Sequence, residues 1–171
     1  MNMHQLEYSN LKTDTNLLPH FSAYMHALPF VQGKRVIDLC CGTGYGMRLM
    51  SEVAKSVKGY DIAVSSTGVG TYMDLDKKLP DDKCDVVTCM QGLEHLEDPK
   101  KVINHFQGKT FIFALPKGGE QVYGHHYHVN EELIYEWFDD RVKLRYMDND
   151  GNIYLQKPEQ FSDYWGYICL N

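Results

Sequence analysis

The chain has 171 residues, enough for one domain around a hydrophobic core and too few for two. With 43% hydrophobic and 23% charged residues it has the composition of a globular protein in water, and no window approaches the ~20 apolar residues of a membrane span. A net charge of −6, from 17 Lys and Arg against 23 Asp and Glu, offers no basic face for duplex nucleic acid, whose binding rests on displaced counterions.

In chain order, residues 1–15 read as a polar segment, 16–140 as the folded core and 141–171 as terminal strands, within one domain spanning 1–171. The opening "MNMHQLEYSN" has no basic stretch followed by an apolar one, so no secretory signal is expected. Leu17, Leu18, Phe21, Tyr24, Met25 and Leu28 recur at helical spacing, and "LPF" at Leu28 closes that helix. Lys34 to Leu39 is a short buried strand. Glycines at 42, 44 and 46 follow it, then a helix carrying Met47, Leu49, Met50 and Val53. "SVKGYDI" is a second strand reaching Asp61. Ala63 to Gly70 is too small and glycine-bearing for a full helix, and a third strand in "TYMDLD" ends at Asp74. "DVVTCM" is a fourth strand. "DPKKVINHF" is a helix with Val102, Ile103 and Phe106 on one side and Pro99 near its start. "TFIFALP" is a fifth strand, stopped by Pro116. "NEELIYEWF" is a helix capped by Asn130, and "VKLRYMD", "NIYLQ" and "YWGYICL" are strands, with "NDGN" as a tight turn.

Apolar strands alternating with helices argue an α/β fold, with a parallel sheet covered on both faces. Ligands of such sheets bind outside the carboxyl ends of the strands. Cys40 to Gly44, Asp61, Asp74 with Leu75, Gln91 to Glu94 and the residues from Pro116 should therefore line one site. The five cysteines (Cys40, Cys41, Cys84, Cys89, Cys169) have no C-x-x-C spacing and read as reduced thiols, which places the chain in the cytoplasm.

Three ligands compete for "VIDLCCGTGYG". A phosphate loop needs Lys-Ser/Thr after its last glycine, and Met47 and Arg48 stand there. A dinucleotide turn wants G-x-G-x-x-G, and Asp38 would set a negative charge beside the pyrophosphate. A cationic nucleoside without phosphates, S-adenosylmethionine, suits both Asp38 and an acid at the end of the second strand, Asp61, which can accept from ribose hydroxyls.

"VIDLCCGTGYG", with "GYDIA", "DLDKKLPDDKCDVV" and "GLEHLEDP", resembles the class I S-adenosylmethionine-dependent methyltransferases, in the branch of ubiquinone-type and methionine-pathway enzymes. The resemblance spans roughly residues 17–140. It implies a Rossmann-like doubly wound, mostly parallel seven-stranded sheet with an antiparallel C-terminal strand, and methyl transfer that leaves S-adenosylhomocysteine. Asp38 and the backbone of Cys40, Cys41, Gly42, Thr43 and Gly44 would then hold the amino-acid end of the cofactor. Asp61, with Ile62, would take the ribose, Asp74 and Leu75 the adenine, and Gln91 and Gly92 would lie beside the methionyl group. Cys40 stands where many relatives have a glycine. Only twelve residues separate Asp61 from Asp74, where relatives fit a helix, so one cover of the sheet is shortened and a partner chain could hide the face it leaves.

On the acceptor side His95 is a candidate base. "GHHYHVN" adds three histidines, of which His126 and His128 are favoured over His125. Its H-H-x-H spacing has no paired cysteine or carboxylate, so no metal is assigned. The aromatic tail reads as strand packing rather than base stacking, and nucleic acid is disfavoured as a partner. The acceptor is expected to be a small molecule or a group presented by a protein, with homo- or hetero-oligomerisation left open. The competing expectation is a cofactor-binding sensor or activating subunit that does not methylate.

Overall fold

In the computed structural model, which describes residues 18–64, 69–118 and 124–170, the chain alternates between helix and strand as its apolar runs require. The elements are α1 (Leu18–Val31), β1 (Arg35–Leu39), α2 (Tyr45–Ser51), β2 (Ser56–Asp61), β3 (Thr71–Tyr72), β4 (Val86–Met90), α3 (Pro99–His105), β5 (Thr110–Pro116), α4 (Glu131–Phe138), β6 (Lys143–Met147), β7 (Ile153–Tyr154) and β8 (Asp163–Cys169). The expected segment 1–15, Leu17 and the centre of Ala63 to Gly70 lie outside the described residues.

One sheet holds all eight strands in the order β3-β2-β1-β4-β5-β8-β6-β7. β1 to β5 pair in parallel. β8 runs antiparallel between β5 and β6, which therefore points the same way as β5. The antiparallel C-terminal strand is as expected. The eighth strand is the two-residue β7, which the tight turn at Asp148–Asn152 folds back on β6. Several elements differ from their predicted lengths: β7 keeps only Ile153 and Tyr154 of "NIYLQ", and α2 ends at Ser51, before Val53. α1 continues through Pro29 to Val31, because Pro29 sits exposed in the last turn, where water can meet the carbonyl it leaves without a donor. β3 keeps only Thr71 and Tyr72. The chain leaves the sheet at Met73, and Asp74 begins a turn.

Alternation along the strands sorts the core into two layers. Val36, Val86, Met90, Ile112 and Trp165 pack against α1 and α2, whereas Ile37, Leu39, Val87, Cys89, Phe111 and Phe113 pack against α3 and α4. Asp38 belongs to the α1 face by the same alternation. Arg35 grips Asp85 with its guanidinium and its backbone N–H, pinning β1 to β4 at the end of the sheet away from the glycine turn.

Where α2 crosses α1, a Cβ on Gly46 would stand 2.2 Å from the Tyr24 ring. That ring cannot retreat, because its hydroxyl is bonded to Asp38. Gly46→Ala should therefore destabilise the protein by about 3 kcal/mol, the overpacking cost, although alanine is the better helix former by ~1 kcal/mol. A melting temperature lowered by roughly 6–12 °C is expected, and an unchanged one would show that the ring has room to move.

Candidate functional site

The parallel register brings the carboxyl ends of β1, β2, β4 and β5 to one edge of the sheet, and the site is built there. Left-handed backbone occurs at Cys40 (φ 55°), Gly42 (φ 54°) and Gly44 (φ 80°), so the turn reverses within five residues and feeds α2. Cys40 adopts this conformation at a cost of roughly 1–2 kcal/mol, which glycine would avoid. The tightness is also steric. A Cβ on Gly44 would meet Val69 at 2.8 Å, and one on Gly92 would meet Cys40 at 2.6 Å and the Cys89 sulfur at 2.9 Å. The backbone after β4 thus lies directly against the glycine turn.

Two acids of different character flank the turn. Asp61 closes it: one carboxylate oxygen accepts the Gly42 N–H at 2.8 Å and the other the Ala63 N–H at 2.6 Å. Each oxygen keeps a lone pair for a further donor. Asp38 lies beneath the turn with no solvent exposure, accepting from the Thr88 hydroxyl at 2.6 Å and the Tyr24 hydroxyl at 3.1 Å. Burial pushes its carboxyl up to about 7, against the two hydrogen bonds that favour the charge, and the Asp61 charge pushes the same way as burial. Tyr24 and Thr88 are members of the site that sequence spacing did not single out. Tyr45 packs edge-to-face on Tyr24, with ring centroids 5.4 Å apart.

The remaining expected cofactor residues are placed as follows. Asp74 binds the Lys77 ammonium at 2.6 Å and caps the turn through the Asp76 N–H, which holds its carboxyl below the usual range. Leu75 is buried in the α3/α4 layer. Ile62 is 56% exposed, beside the 68% exposed Tyr72 at the β3 edge. Gln91 adopts φ 56°, and its amide donates to Asp163 at 2.5 Å. Asp163 was not legible beforehand. It is nearly buried, and it reaches the site only because β8 pairs it with Pro116 at the carboxyl end of β5.

Beyond Gly92 a 3-10 turn, Leu93–His95, carries Glu94 inward, fully buried. Burial pushes its carboxyl up to about 8, with the Asp163 charge adding to the effect. His95 is exposed on the same turn. Its Nδ1 meets the Gly124 carbonyl at 2.8 Å, and its Nε2 is 3.9 Å from Glu94 Oε1. The His126 N–H donates to the Glu94 carbonyl and ties the segment 124–129, which turns at Gly124 and bends at Tyr127, to the 3-10 turn, and burial alternates along it. His125, Tyr127 and Val129 turn inward and His126 and His128 turn outward. The favoured His126 and His128 are thus exposed. The ring that meets His95 is that of His125, at 4.6 Å between centroids.

The site is an acidic, glycine-rich cleft edge with carboxylates on β1, β2 and β8 and a Glu94–His95 pair after β4 that meets His125 from the segment after β5. It suits a cation or a hydroxyl-bearing nucleoside better than a phosphate. Comparison with known proteins gives the same direction. Residues 15–120 match the family described as Methyltransferase domain. Over 103 residues the chain is 30% identical to a ubiquinone biosynthesis O-methyltransferase of Burkholderia pseudomallei, covering 52% of this chain and 44% of that protein. The chain therefore spans less than half the length of the curated relatives it first matches. Two solved structures share the fold. NodS, an N-methyltransferase of Bradyrhizobium japonicum solved with S-adenosyl-L-homocysteine, superposes with TM-score 0.65 at 11% identity, over 94% of this chain and 89% of that one. A chain from the Haloferax volcanii complex that contains the Trm112 methyltransferase activator superposes with TM-score 0.64 at 19% identity, over 92% and 90%. Among the described residues no helix is long and apolar enough to cross a membrane.

Proposed function

The chain belongs to the methyltransferase-domain family of S-adenosylmethionine-dependent proteins, and from that premise we propose that it transfers the methyl group of S-adenosylmethionine to a small or protein-presented acceptor. The observation that carries this is Asp61, whose carboxylate ties Gly42 to Ala63 and keeps free lone pairs at the carboxyl end of β2. A ribose diol fits there as the donor pair. Asp38 supplies negative charge beneath the turn that an amino-acid ammonium would meet, and no cationic side chain of the turn answers it. When bound, the sulfonium supplies an activated methyl carbon. An acceptor held in line with that carbon would take the methyl group with the sulfur as leaving group, and this chain's part would be to align the acceptor and receive its proton. Of the chain's own groups, Gln91 and Gly92 would set the methyl position, with Asp163 positioning Gln91. His95 is the ring best placed to receive the proton, being exposed beside the buried Glu94. In-line displacement asks for alignment more than for acid–base power.

A second reading is supported by the β3 edge. With β3 two residues long, Ile62 and Tyr72 are left for a partner chain, and a structural neighbour of this fold comes from a complex with an activator. In that reading the chain binds the cofactor and acts with, or on, a second protein.

Calorimetric titration with S-adenosylmethionine and S-adenosylhomocysteine tests both, followed by turnover on phenols, amines, carboxylates and thiols. One-to-one binding with S-adenosylhomocysteine release is expected. Absence of binding would overturn both readings, and binding without turnover would favour the second.

A further inference from the structure

Glu94 poses a problem that methyl transfer does not solve. Its carboxyl group is fully buried, and among the described residues neither oxygen has a well-formed hydrogen bond, its own backbone N–H being the one donor near it. A carboxylate in that state needs a proton or a cation, since an uncompensated buried charge costs several kcal/mol by a rough reckoning. Its neighbours are the His95 and His125 rings and the Asp163 carboxylate, so no positive group stands against it among the described residues. One donor atom each from Glu94, His95 and His125 lies within 4.8 Å of the others.

The hydrogen bonding of His95 decides what those rings present. Its Nδ1 is 2.8 Å from the Gly124 carbonyl, which can only accept. The proton of the neutral ring is therefore on Nδ1, and Nε2 turns a lone pair toward Glu94 Oε1, 3.9 Å away. A lone pair facing a buried carboxylate is unfavourable unless something positive lies between them. An imidazole anchored on its outer nitrogen by a carbonyl, with the inner nitrogen free, is the arrangement that orients a metal ligand.

We propose that Glu94, His95 and His125 bind one divalent first-row transition-metal ion, with zinc as the type ion, through one carboxylate oxygen and two ring nitrogens. The donor set selects the class: two imidazoles and one carboxylate suit zinc, cobalt or iron, whereas magnesium and calcium take mostly oxygen. Bonds of about 2.0–2.2 Å place ligand atoms about 3.5 Å apart around such an ion, so the present spread closes by small side-chain rotations. The half-buried His125 forms the outer wall and leaves a way in, while the buried Glu94 forms the floor. Three protein ligands leave a coordination position for water or for an acceptor atom.

The proposal goes beyond the methyltransferase reading and does not depend on it, because its test uses no cofactor; an ion on Nε2, with the proton kept on Nδ1, would take His95 out of the role of proton acceptor. Full-length protein stripped of metal is titrated with Zn2+ by calorimetry and with Co2+ by visible absorption. One equivalent of each should bind with micromolar affinity or tighter, and Co2+ should show the intense d–d bands of a low-coordinate nitrogen/oxygen site. Glu94→Gln and His125→Ala should each weaken Zn2+ binding by about 100-fold, while His105→Ala, a histidine elsewhere on the surface, leaves it unchanged. His125→Ala alters a loop side chain and so remains interpretable if Glu94→Gln fails to fold, which thermal melts of the metal-free variants reveal. No stoichiometric uptake, or uptake indifferent to His125→Ala, overturns the proposal.

Discussion

Asp61→Ala should lower affinity for S-adenosylmethionine by at least about 100-fold in a calorimetric titration, with the protein still folded. Two effects of the same side chain add. Each Asp61 oxygen accepts a backbone N–H, from Gly42 and from Ala63, and charged hydrogen bonds of this kind contribute roughly 1.5–3 kcal/mol. Their loss frees the turn to leave the conformation that receives the ligand. The remaining lone pairs are the proposed acceptors for the ribose hydroxyls, and about 3 kcal/mol lost there is already a factor of about 100. Asp61→Asn separates the two effects, because it keeps one accepting oxygen but turns an NH2 toward the second backbone N–H. Pairing each variant with a 2′-deoxy analogue of S-adenosylhomocysteine forms a double-mutant cycle. A coupling of 1 kcal/mol or more is expected between Asp61 and the 2′-hydroxyl. Full affinity in Asp61→Ala would remove the observation on which the functional reading stands.

The scaffold around Asp61 was legible because its signals are local. Short apolar runs ending in glycine, an acid or proline mark β1, β2, β4 and β5, and Asn130 before a periodic stretch marks a helix start, where its side chain accepts the Leu133 N–H; Asp98 caps α3 in the same way. What escaped is what topology alone brings together. Asp163 lies 72 residues from Gln91, and only the insertion of an antiparallel β8 beside β5 makes them partners. Tyr24 belongs to α1 by its spacing, yet its hydroxyl is what satisfies Asp38 across the sheet face. The histidines show a different limit. In "GHHYHVN" the less exposed positions alternate as 125, 127 and 129 against 126 and 128, and Val129 is the apolar member of the inner set. Reading the buried valine first would have selected His125. Glu94 was expected only as one of the residues lining the strand ends, because a glutamate in a polar-looking stretch gives no sign that the 3-10 turn will bury it.

The second large effect concerns Asp38, and its direction is opposite for stability and for binding. Burial raises this carboxyl to about 7, from an unfolded value near 4. Between about pH 4 and pH 7 the folded protein therefore holds a proton that the unfolded chain has released. Stability contributed by this site falls as pH rises through that window and is lowest above pH 7. Three units correspond to about 4 kcal/mol, an upper figure for the cost of keeping the charge buried. Asp38→Asn removes the charge permanently. Its oxygen can still accept from Thr88 and Tyr24, although the new NH2 lacks an evident acceptor and costs about 1–3 kcal/mol. The unliganded variant should therefore melt higher than wild type at pH 8 and show no such advantage near pH 4. The same substitution should weaken S-adenosylmethionine binding by about 10–100-fold at pH 8, because the cofactor's ammonium would then face a neutral group. In wild type, affinity should rise toward pH 7 as the carboxyl ionises and then level, and Asp38→Asn should flatten that rise. A variant less stable than wild type at pH 8 would mean that the hydrogen bonds from Thr88 and Tyr24 outweigh burial. A variant that binds as tightly as wild type would place the ammonium elsewhere. The expected pair of opposite shifts identifies Asp38 as a charge the fold keeps at a cost to stability because the ligand it serves is a cation.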